Sequence, residues 1–427
     1  MKVISVIKTA IGGGAACLLA GLLAAAPAAQ ADTGRTVPCD TNALIAAVNA
    51  ANSSGGATIN LARRCTYQLT TASSPNPQLG DTGLPVITSR ITLNGFRTTI
   101  AGNGSSFRIL MVTGSGNLTL RGLTITGGNT PGPGGGIFNL EGTLVLTSTR
   151  VTGNASAGGM MSAGGGIASG TLGTGPLGTT VLNFSRVDDN TSSGSAGGIL
   201  NRAGTLILNA SKVDDNTAAQ GGGGIASGTG GMGGPGSSVL VLNHSKVDGN
   251  TANGGPMAGA GGIANGGTAT ISGSEVAGNT APGAAGGGIL NHGVMTLSFT
   301  RVTSNTAPAD SACDQGMGGG IANINLGPVA PGAVNGGIAT ISFSQISRNS
   351  ASGQGGGIFE ATITQTGPAA GGALTLAFSK VTGNQAAQGG GIFAVPGSPV
   401  TLVFTVVARN SPDNCAPPGS IAGCGNW

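Results

Sequence analysis

Short apolar segments recur along most of the chain and are separated by stretches of glycine and small polar residues. Some segments alternate apolar and polar residues with a period of two, as in TLSF from residue 296, and others are continuously apolar, as in LIL from residue 206. Both patterns, in segments rich in Val, Ile, Thr and Phe, are typical of β-strands. No amphipathic helical pattern occurs after about residue 60. The pattern therefore predicts a chain built almost entirely from short strands.

The apolar segments belong to a repeat with a minimal unit of 26 residues, as from Asn190 to Asn216. Each segment ends on an asparagine, and all but the last are followed by GGGI or a near variant. The closing asparagines are Asn154, Asn190, Asn216, Asn250, Asn279, Asn305, Asn349, Asn384 and Asn410. One unit cannot bury its few apolar side chains alone, whereas stacked units can. We therefore predict an all-β, single-stranded right-handed parallel β-helix (a solenoid) of about 10–13 coils.

The N-terminal residues 1–31 have the features of a secretory signal peptide: two lysines, an apolar run and an Ala-Gln-Ala cleavage site. We therefore expect the mature chain to be extracellular, either free or associated with the cell surface. No later stretch contains 18 apolar residues, so we predict no transmembrane segment in the mature chain. We also expect a monomer.

Both ends of the predicted β-helix, which spans residues 71–410, carry segments of a different kind. Residues 40–52 predict a short amphipathic helix with Asp40 or Thr41 as its N-cap, and we interpret residues 32–70 as an N-terminal cap. We interpret residues 411–427 as a C-terminal tail closed by a disulfide. The simplest cysteine pairing joins neighbours at each end and leaves Cys313 over. The predicted pairs are Cys39 with Cys65 and Cys415 with Cys424.

Composition excludes two classes of protein. Only 7% of the residues are charged while 39% are hydrophobic, which is unlike a disordered chain. Without the two lysines of the signal peptide, 16 basic residues stand against 14 acidic ones. A nucleic-acid-binding protein needs a concentrated basic face, so we expect no nucleic-acid partner.

From about residue 37 onwards, the GGGI and closing Asn of each unit resemble the repeats of secreted bacterial right-handed parallel β-helix proteins of the pectin-lyase-like superfamily. More narrowly, the units are similar to the repeats of polymorphic outer-membrane proteins, which carry GGA[IL] and F-x-x-N. In this chain Phe299, Phe343, Phe378 and Phe404 stand six residues before the Asn. The resemblance implies the fold and leaves lyases, hydrolases and adhesins open as functions.

One position of the repeat is basic in six of nine units and supplies our main ligand-binding candidates. These are Arg150, Arg186, Lys212, Lys246, Arg301 and Lys380. If exposed, they would present a basic stripe to an acidic polymer. The alternative is a solvated face whose aliphatic stems cover the coil. The insertion ADSACDQGMGGG breaks the repeat and adds Asp310 and Asp314 as further ligand-binding candidates.

Three carboxylates follow the cations at a distance of two residues and are the catalytic candidates: Asp188, Asp214 and Asp248. Residues two apart on a strand share a face. The carboxylates could serve glycoside hydrolysis, or bind calcium beside Lys212 as a lyase base. The alternative is that each neutralises the cation of its own coil. Because the acids follow the repeat, we expect this pairing and no metal or cofactor, with calcium as the alternative.

Histidines and aromatic residues add little at this level. His244 stands where other units have Phe, Ala or Gly, so we expect it to be packed, and we expect His292 to be exposed in a turn. Trp427 and Tyr67 lie outside the repeat, which disfavours aromatic platforms for sugars. We predict a non-enzymatic scaffold that binds or adheres to a polymer such as an acidic polysaccharide or a cell-wall component. The alternative is a polysaccharide lyase or glycoside hydrolase.

Overall fold

The computed structural model describes residues 36–104, 106–158, 163–171, 177–228, 238–254, 259–310, 316–325, 336–362 and 373–425. Within these ranges the strands stack in parallel, coil upon coil, and the predicted all-β parallel β-helix with a short N-terminal helix is confirmed. One sheet contains 11 stacked strands, which agrees with the predicted number of coils. The predicted signal peptide, Cys313 and Asp314 lie outside the described residues.

Each coil has four strand positions, which we call faces A to D in chain order. Faces A and B lie on either side of a bend and form a 23-stranded sheet. The face A strands are Gly56–Leu61, Arg90–Ala101, Asn117–Thr126, Thr143–Thr147, Gly178–Asn183, Gly204–Asn209, Ser238–Asn243, Thr268–Ser272, Val294–Ser298, Ile338–Ser342, Ala373–Ala377 and Val400–Val403. The second and third of these continue into face B, which also contains Thr66–Gln68, Arg150–Thr152, Arg186–Asp188, Lys212–Asp214, Lys246–Asp248, Glu275–Ala277, Arg301–Thr303, Gln345–Ser347, Lys380–Thr382 and Val406–Ala408. A further strand, Thr36–Val37, pairs with Gly56–Leu61.

Faces C and D close each coil. The face C strands are short: Asp81–Thr82, Phe107–Arg108, Asn129–Thr130, Ala155–Ser156, Thr191–Ser195, Thr217–Gly222, Thr251–Ala252, Gly259–Ala260, Thr306–Ala307 and Ser350–Ala351. Face D begins at the isoleucine of GGGI in most coils. Its strands are Leu110–Thr113, Ile137–Leu140, Ile167–Gly170, Ile199–Arg202, Ile225–Ser227, Ile263–Asn265, Ile289–Asn291, Ile321–Asn325, Ile358–Thr362, Ile392–Ala394 and Cys415–Ala416.

The core runs through the centre of the stack. A typical coil contributes Leu206 and Leu208 from face A, Val213 from face B and Ile225 from face D, all completely buried. Neighbouring coils place the same side chains in register, as Leu206 opposite Leu240 and Val213 opposite Val247. On face A, period-two alternation therefore sends one side of each strand inward and turns the other side toward solvent, as in Gly204–Asn209. The face D strands, such as Ile225–Ser227 and Ile321–Asn325, are buried along their whole length.

The GGGI corners need glycine for two different reasons. Gly164 has φ 64°, a conformation that side-chain-bearing residues rarely adopt. At Gly165, a Cβ atom would lie 2.2 Å from the carbonyl oxygen of Thr191 on the next coil. Close approach between coils therefore excludes any side chain there.

The closing asparagines form a buried ladder. The Nδ2 of Asn216 donates to Oδ1 of Asn250 at 2.9 Å and to the carbonyls of Val187 and Asp214 at 3.0 and 2.9 Å. At the far end, Asn410 donates to Asn414 at 3.1 Å. Each amide therefore satisfies backbone groups at the turn from face B to face C, which explains its recurrence by structure rather than by chemistry.

Each end of the stack carries a closing segment that packs against the core. The helix Thr41–Ser53 starts at Asp40, whose Oδ1 accepts from the Ala43 amide at 2.8 Å, and it buries Leu44 and Val48 against the first coil. Disulfides join Cys39 to Cys65 and Cys415 to Cys424. Among the described residues, no helix has the length and apolar character needed to span a bilayer.

Candidate functional site

The bend between faces A and B forms an exposed ridge with one residue per coil. All of these residues have φ between 46° and 58°, the left-handed conformation that turns the chain from one face to the other. The ridge consists of Ser148, Phe184, Ala210, His244, Gly273, Phe299, Phe343, Phe378 and Phe404. The strands on either side hold these side chains at a spacing of about 4.8 Å per coil.

Four consecutive ridge residues form a stack of aromatic rings on the protein surface. Phe299, Phe343, Phe378 and Phe404 have ring centroids 5.1, 5.1 and 5.2 Å apart with nearly parallel planes. Between 52 and 80% of each residue remains exposed, so the core does not account for them. The argument against aromatic platforms for sugars considered only the single Trp and Tyr and overlooked these phenylalanines.

The six basic candidates line a second column beside the ridge, at the start of the face B strands. This cation column contains Arg150, Arg186, Lys212, Lys246, Arg301 and Lys380, with Glu275, Gln345 and Val406 at the same position of other coils. Parallel pairing stacks these residues directly above one another. The structure therefore brings the basic candidates together along one edge of the ridge.

Two of the three carboxylate candidates, Asp188 and Asp214, are bound to cations of the preceding coil. Both carboxylate oxygens of Asp188 accept from Arg150, and those of Asp214 accept from Arg186. Only a longer contact of 3.5 Å joins Arg186 to Asp188 on its own coil. The expected pairing within each coil is thus largely replaced by pairing between coils, because a long arginine side chain reaches the neighbouring strand about 4.8 Å away.

These ion pairs leave the carboxylates poorly suited to catalysis or calcium binding. The Asp188 side chain is completely buried; burial raises its pKa, the Arg150 hydrogen bonds lower it, and the net shift is downward. Burial, partly offset by Arg186, raises the pKa of Asp214. A calcium ion would need oxygens that already accept from guanidinium groups. In the described part of the chain, no three or more His, Cys, Asp or Glu residues are grouped to hold a metal.

The other candidates do not take part in these ion pairs. Within the described ranges, no ion pair joins Lys212, Lys380 or Asp248 to a residue of opposite charge. Asp310 is exposed three residues beyond the face C strand Thr306–Ala307 and is not part of the cation column. The structure therefore does not unite Asp310 with the basic candidates.

One coil interrupts both columns at once. It has Gly273 on the ridge, where neighbours carry rings, and Glu275 in the cation column. The interruption opens a groove of about 330 Å³ between His244 and Phe299. We call it the Gly273 groove; its other walls include Lys246, Glu275 and Arg301.

Three charges form one wall of the Gly273 groove. The Glu275 carboxylate contacts Nζ of Lys246 at 2.9 Å and Nη2 of Arg301 at 3.5 Å. The Lys246 hydrogen bond lowers the pKa of Glu275, and the same bond raises the pKa of Lys246. Both shifts move the pKa values further from pH 7, so Glu275 and Lys246 stay charged at neutral pH. They therefore act as permanent charges and not as proton donors or acceptors at neutral pH.

Both histidine expectations were wrong. His244 is exposed and its ring lies over the Gly273 backbone, where an added Cβ would come within 2.9 Å of Cδ2. His292 is only partly exposed, its Nδ1 lies 3.1 Å from the Ile324 carbonyl oxygen, and burial lowers its pKa. Among the residues lining the groove, His244 is thus the one on which an enzymatic alternative would depend.

A buried carboxyl group was missed entirely at the sequence level. Glu360 is completely buried, and its Oε2 accepts from Asn323 at 2.7 Å. Its Oε1 has no hydrogen-bond partner among the described residues. Burial raises the pKa of Glu360 to about 8. Alignment on the GGGI isoleucine would have revealed it, because the coils from Asn139 to Asn323 all carry Asn or Ser at this position.

Comparison with known proteins finds likeness in structure alone. The A-module of the mannuronan C-5 epimerase AlgE6 from Azotobacter vinelandii is similar with a TM-score of 0.45 and 14% identity, covering 88% of this chain and 95% of that one. Pectate lyase Pel9A is similar with a TM-score of 0.40 and 14% identity, covering 76% of this chain and 72% of that one. No protein-family model and no curated protein matches the chain.

Proposed function

We propose that this chain is an exported, non-enzymatic β-helix scaffold that binds an acidic polysaccharide or a related cell-wall polymer along the ridge and the cation column. The observation that carries the proposal is the exposed stack of four phenylalanine rings beside the column of cations. Nine ridge positions extend over roughly 40 Å at about 4.8 Å per coil, which suits an extended polymer better than a small molecule.

The stack offers apolar contact to such a polymer. A left-handed conformation costs a residue with a side chain roughly 1–2 kcal/mol, and each stacked pair returns about 0.5–1.5 kcal/mol. Folding therefore gains little from these rings, and a contiguous exposed apolar strip is typical of an interaction site. Attraction for an acidic chain comes from Lys212 and Lys380, which form no ion pair within the described ranges, and from the surplus positive charge of the Gly273 groove.

The electrostatics favour binding over catalysis. Lyases and hydrolases of polysaccharides need a group whose pKa lies near the working pH. In the ridge region the Asp188, Asp214 and Glu275 carboxylates are held by Arg150, Arg186 and Lys246. Apart from His244, the groups a polymer would meet on the ridge and the cation column are therefore permanent charges and hydrophobic rings.

The test measures binding and cleavage together. The purified chain is presented with a panel of acidic polysaccharides and their neutral counterparts, with affinity electrophoresis for binding and release of new chain ends for cleavage. We expect retention by at least one acidic polymer, weakening as salt rises, and no cleavage. Cleavage at a useful rate, or no retention by any polymer, would overturn the proposal.

A matched pair of variants locates the binding surface. Phe343→Ser removes the second ring of the stack, and Ser148 shows that serine is accepted at the same ridge conformation. Val239→Thr changes an exposed residue of face A away from the ridge. We expect Phe343→Ser to weaken binding roughly tenfold, equivalent to about 1.4 kcal/mol, and Val239→Thr to have no effect. Equal binding by both variants contradicts the assignment.

A further inference from the structure

We propose that the Gly273 groove binds a six-membered ring that carries one carboxylate, and that this ring occupies the position of the side chain that the ridge lacks at Gly273. The inference deepens the proposed function, because a ring of this kind would be one unit of the bound polymer. The dimensions, charge and exposed groups of the groove support it.

The dimensions of the ridge fit one ring. His244 and Phe299 stand two coils apart, roughly 10 Å at about 4.8 Å per coil. The stacked rings of the ridge are 5.1–5.2 Å apart. A ring placed midway would thus lie about 5 Å from each neighbour, which is the spacing the ridge already uses. Phe299 stacks on Phe343 with one side and lines the groove with the other.

The His244 ring can make room for this ligand. It lies over Gly273 in the structure, but the side chain is exposed. Rotation about its side-chain bonds moves the ring outward without disturbing the backbone. The ring would then cover the ligand on the side opposite Phe299.

The charges of the groove select one negative group. Among the residues that line the groove, Lys246 and Arg301 share the single carboxylate of Glu275, which leaves one positive charge in excess. Asp248 attracts Lys246 electrostatically from outside the lining and forms no ion pair with it among the described residues. Their side chains are 41 and 63% exposed, so their remaining donors face solvent. Among the described residues, Arg301 has no other acidic partner. A ligand carboxylate can therefore accept from both cations while Glu275 accepts from a hydroxyl group.

Two kinds of ligand have a six-membered ring with one carboxylate: a saturated sugar acid and a flat aromatic acid. Both present a six-membered ring to Phe299 and a carboxylate to the cations. Glucuronate and benzoate therefore serve as the probes, with glucose and benzamide as neutral counterparts of similar size. The proposed function requires binding of the sugar acid, whereas binding of benzoate alone would identify an aromatic-acid site.

The two histidines provide the measurement. The chain contains only His244 and His292, so their ring protons are resolvable by NMR in the purified chain. We expect both anionic probes to shift the His244 signals in a saturable way and to leave His292 unchanged. We expect the neutral counterparts to bind at least tenfold more weakly. The inference is wrong if neither anion shifts the His244 signals in a saturable way, or if the anionic probes and their neutral counterparts bind equally well.

A filled groove and a matched control complete the test. Gly273→Phe restores the missing ring, and phenylalanine already occupies this backbone conformation at positions such as Phe299 and Phe343. Ser148→Phe adds a ring to the same ridge at φ 49°, several coils away from the groove. We expect Gly273→Phe to abolish binding of the probes and Ser148→Phe to preserve it.

The same variants separate the two proposals. If the wild-type chain binds no acidic polymer, the proposed function fails whatever the probes do. If it binds polymer and Gly273→Phe binds polymer and probes equally well, the ridge assignment stands and the groove inference is wrong. Loss of probe binding in Gly273→Phe, with unchanged circular dichroism, supports the groove inference.

Discussion

Replacing Glu360 with Gln should remove most of the dependence of stability on pH between about pH 5 and pH 8. Glu360 lies inside the coils on face D, where Asn265 donates to Asn291, Asn291 donates to Asn323, and Asn323 donates to the Glu360 carboxyl group. Burial without a cation raises its pKa from 4.5 to about 8. The folded chain therefore holds the proton at pH 7, whereas the unfolded chain releases it.

The sign follows from proton binding. Above pH 4.5, ionisation of Glu360 stabilises the unfolded state, whereas in the folded state Glu360 stays protonated up to about pH 8. The stabilising contribution is thus complete below pH 4.5 and is lost as pH rises to about 8. The loss is about 1.4 kcal/mol per pH unit. It amounts to about 3 kcal/mol at pH 7 and about 5 kcal/mol above pH 8.

Urea denaturation from pH 4.5 to pH 9 measures this effect. The glutamine variant keeps the shape of the side chain and stays neutral, so its free energy of unfolding should exceed that of the wild-type chain by about 3 kcal/mol at pH 7 relative to pH 4.5. His292 acts in the opposite direction, because its lowered pKa removes stability as pH falls below about 6.5. It is present in both proteins, so the difference between them isolates Glu360.

Parallel pH profiles for the two proteins would refute this reasoning. They would mean that Glu360 ionises in the folded state near its ordinary pKa, and hence that solvent or a counter-charge reaches Oε1. A uniform loss of stability in the variant, with no change in slope, would lead to the same conclusion. Only a difference that grows between pH 5 and pH 8 agrees with a buried neutral carboxyl group.

Two further predictions concern stability. Arg150→Ala should cost about 3–5 kcal/mol, because it leaves the fully buried Asp188 without its main partner. Lys212→Ala changes the same column without breaking an ion pair among the described residues, so it should cost less than about 0.5 kcal/mol in the same denaturation assay. A similarly small cost for Arg150→Ala would show that the column is a solvated face. Replacing Cys39 and Cys65 by Ser should lower stability by about 3–4 kcal/mol for a separation of 26 residues, and an unchanged denaturation midpoint would contradict the cap as a stabilising element.

The fold could be predicted because it depends on features that repeat. Each unit has apolar residues at the same inward positions, such as Leu206 and Val213. Stacking requires only that these positions match between neighbouring units. The closing asparagines were visible for the same reason. The predicted helix at residues 40–52 corresponds to Thr41–Ser53, because capping by Asp40 and the apolar spacing are local signals.

Contacts between coils could not be predicted in the same way. Sequence spacing placed Asp214 beside Lys212, two residues away on one strand, whereas the structure pairs it with Arg186 of the preceding coil. The separation between residues two apart on one strand is similar to that between neighbouring strands. Side-chain length therefore decides the partner, and the arginine side chain reaches the neighbouring coil. Exposure of the phenylalanines was equally hidden, because a bend with positive φ turns outward a residue type that is usually buried.

The most informative position is one where two columns change in the same coil. A single departure such as Gln345 or Val406 alters the cation column and leaves the ridge filled by Phe343 or Phe404. In the coil of Gly273, the ring is absent and the charge is reversed together, and the two changes share one groove. Glycine alone would open a neutral gap, and Glu275 alone would neutralise part of a stripe. Together they leave an exposed ring face beside a wall with one excess positive charge, which is a combination that binds a ring acid and that no other ridge coil of the described chain reproduces.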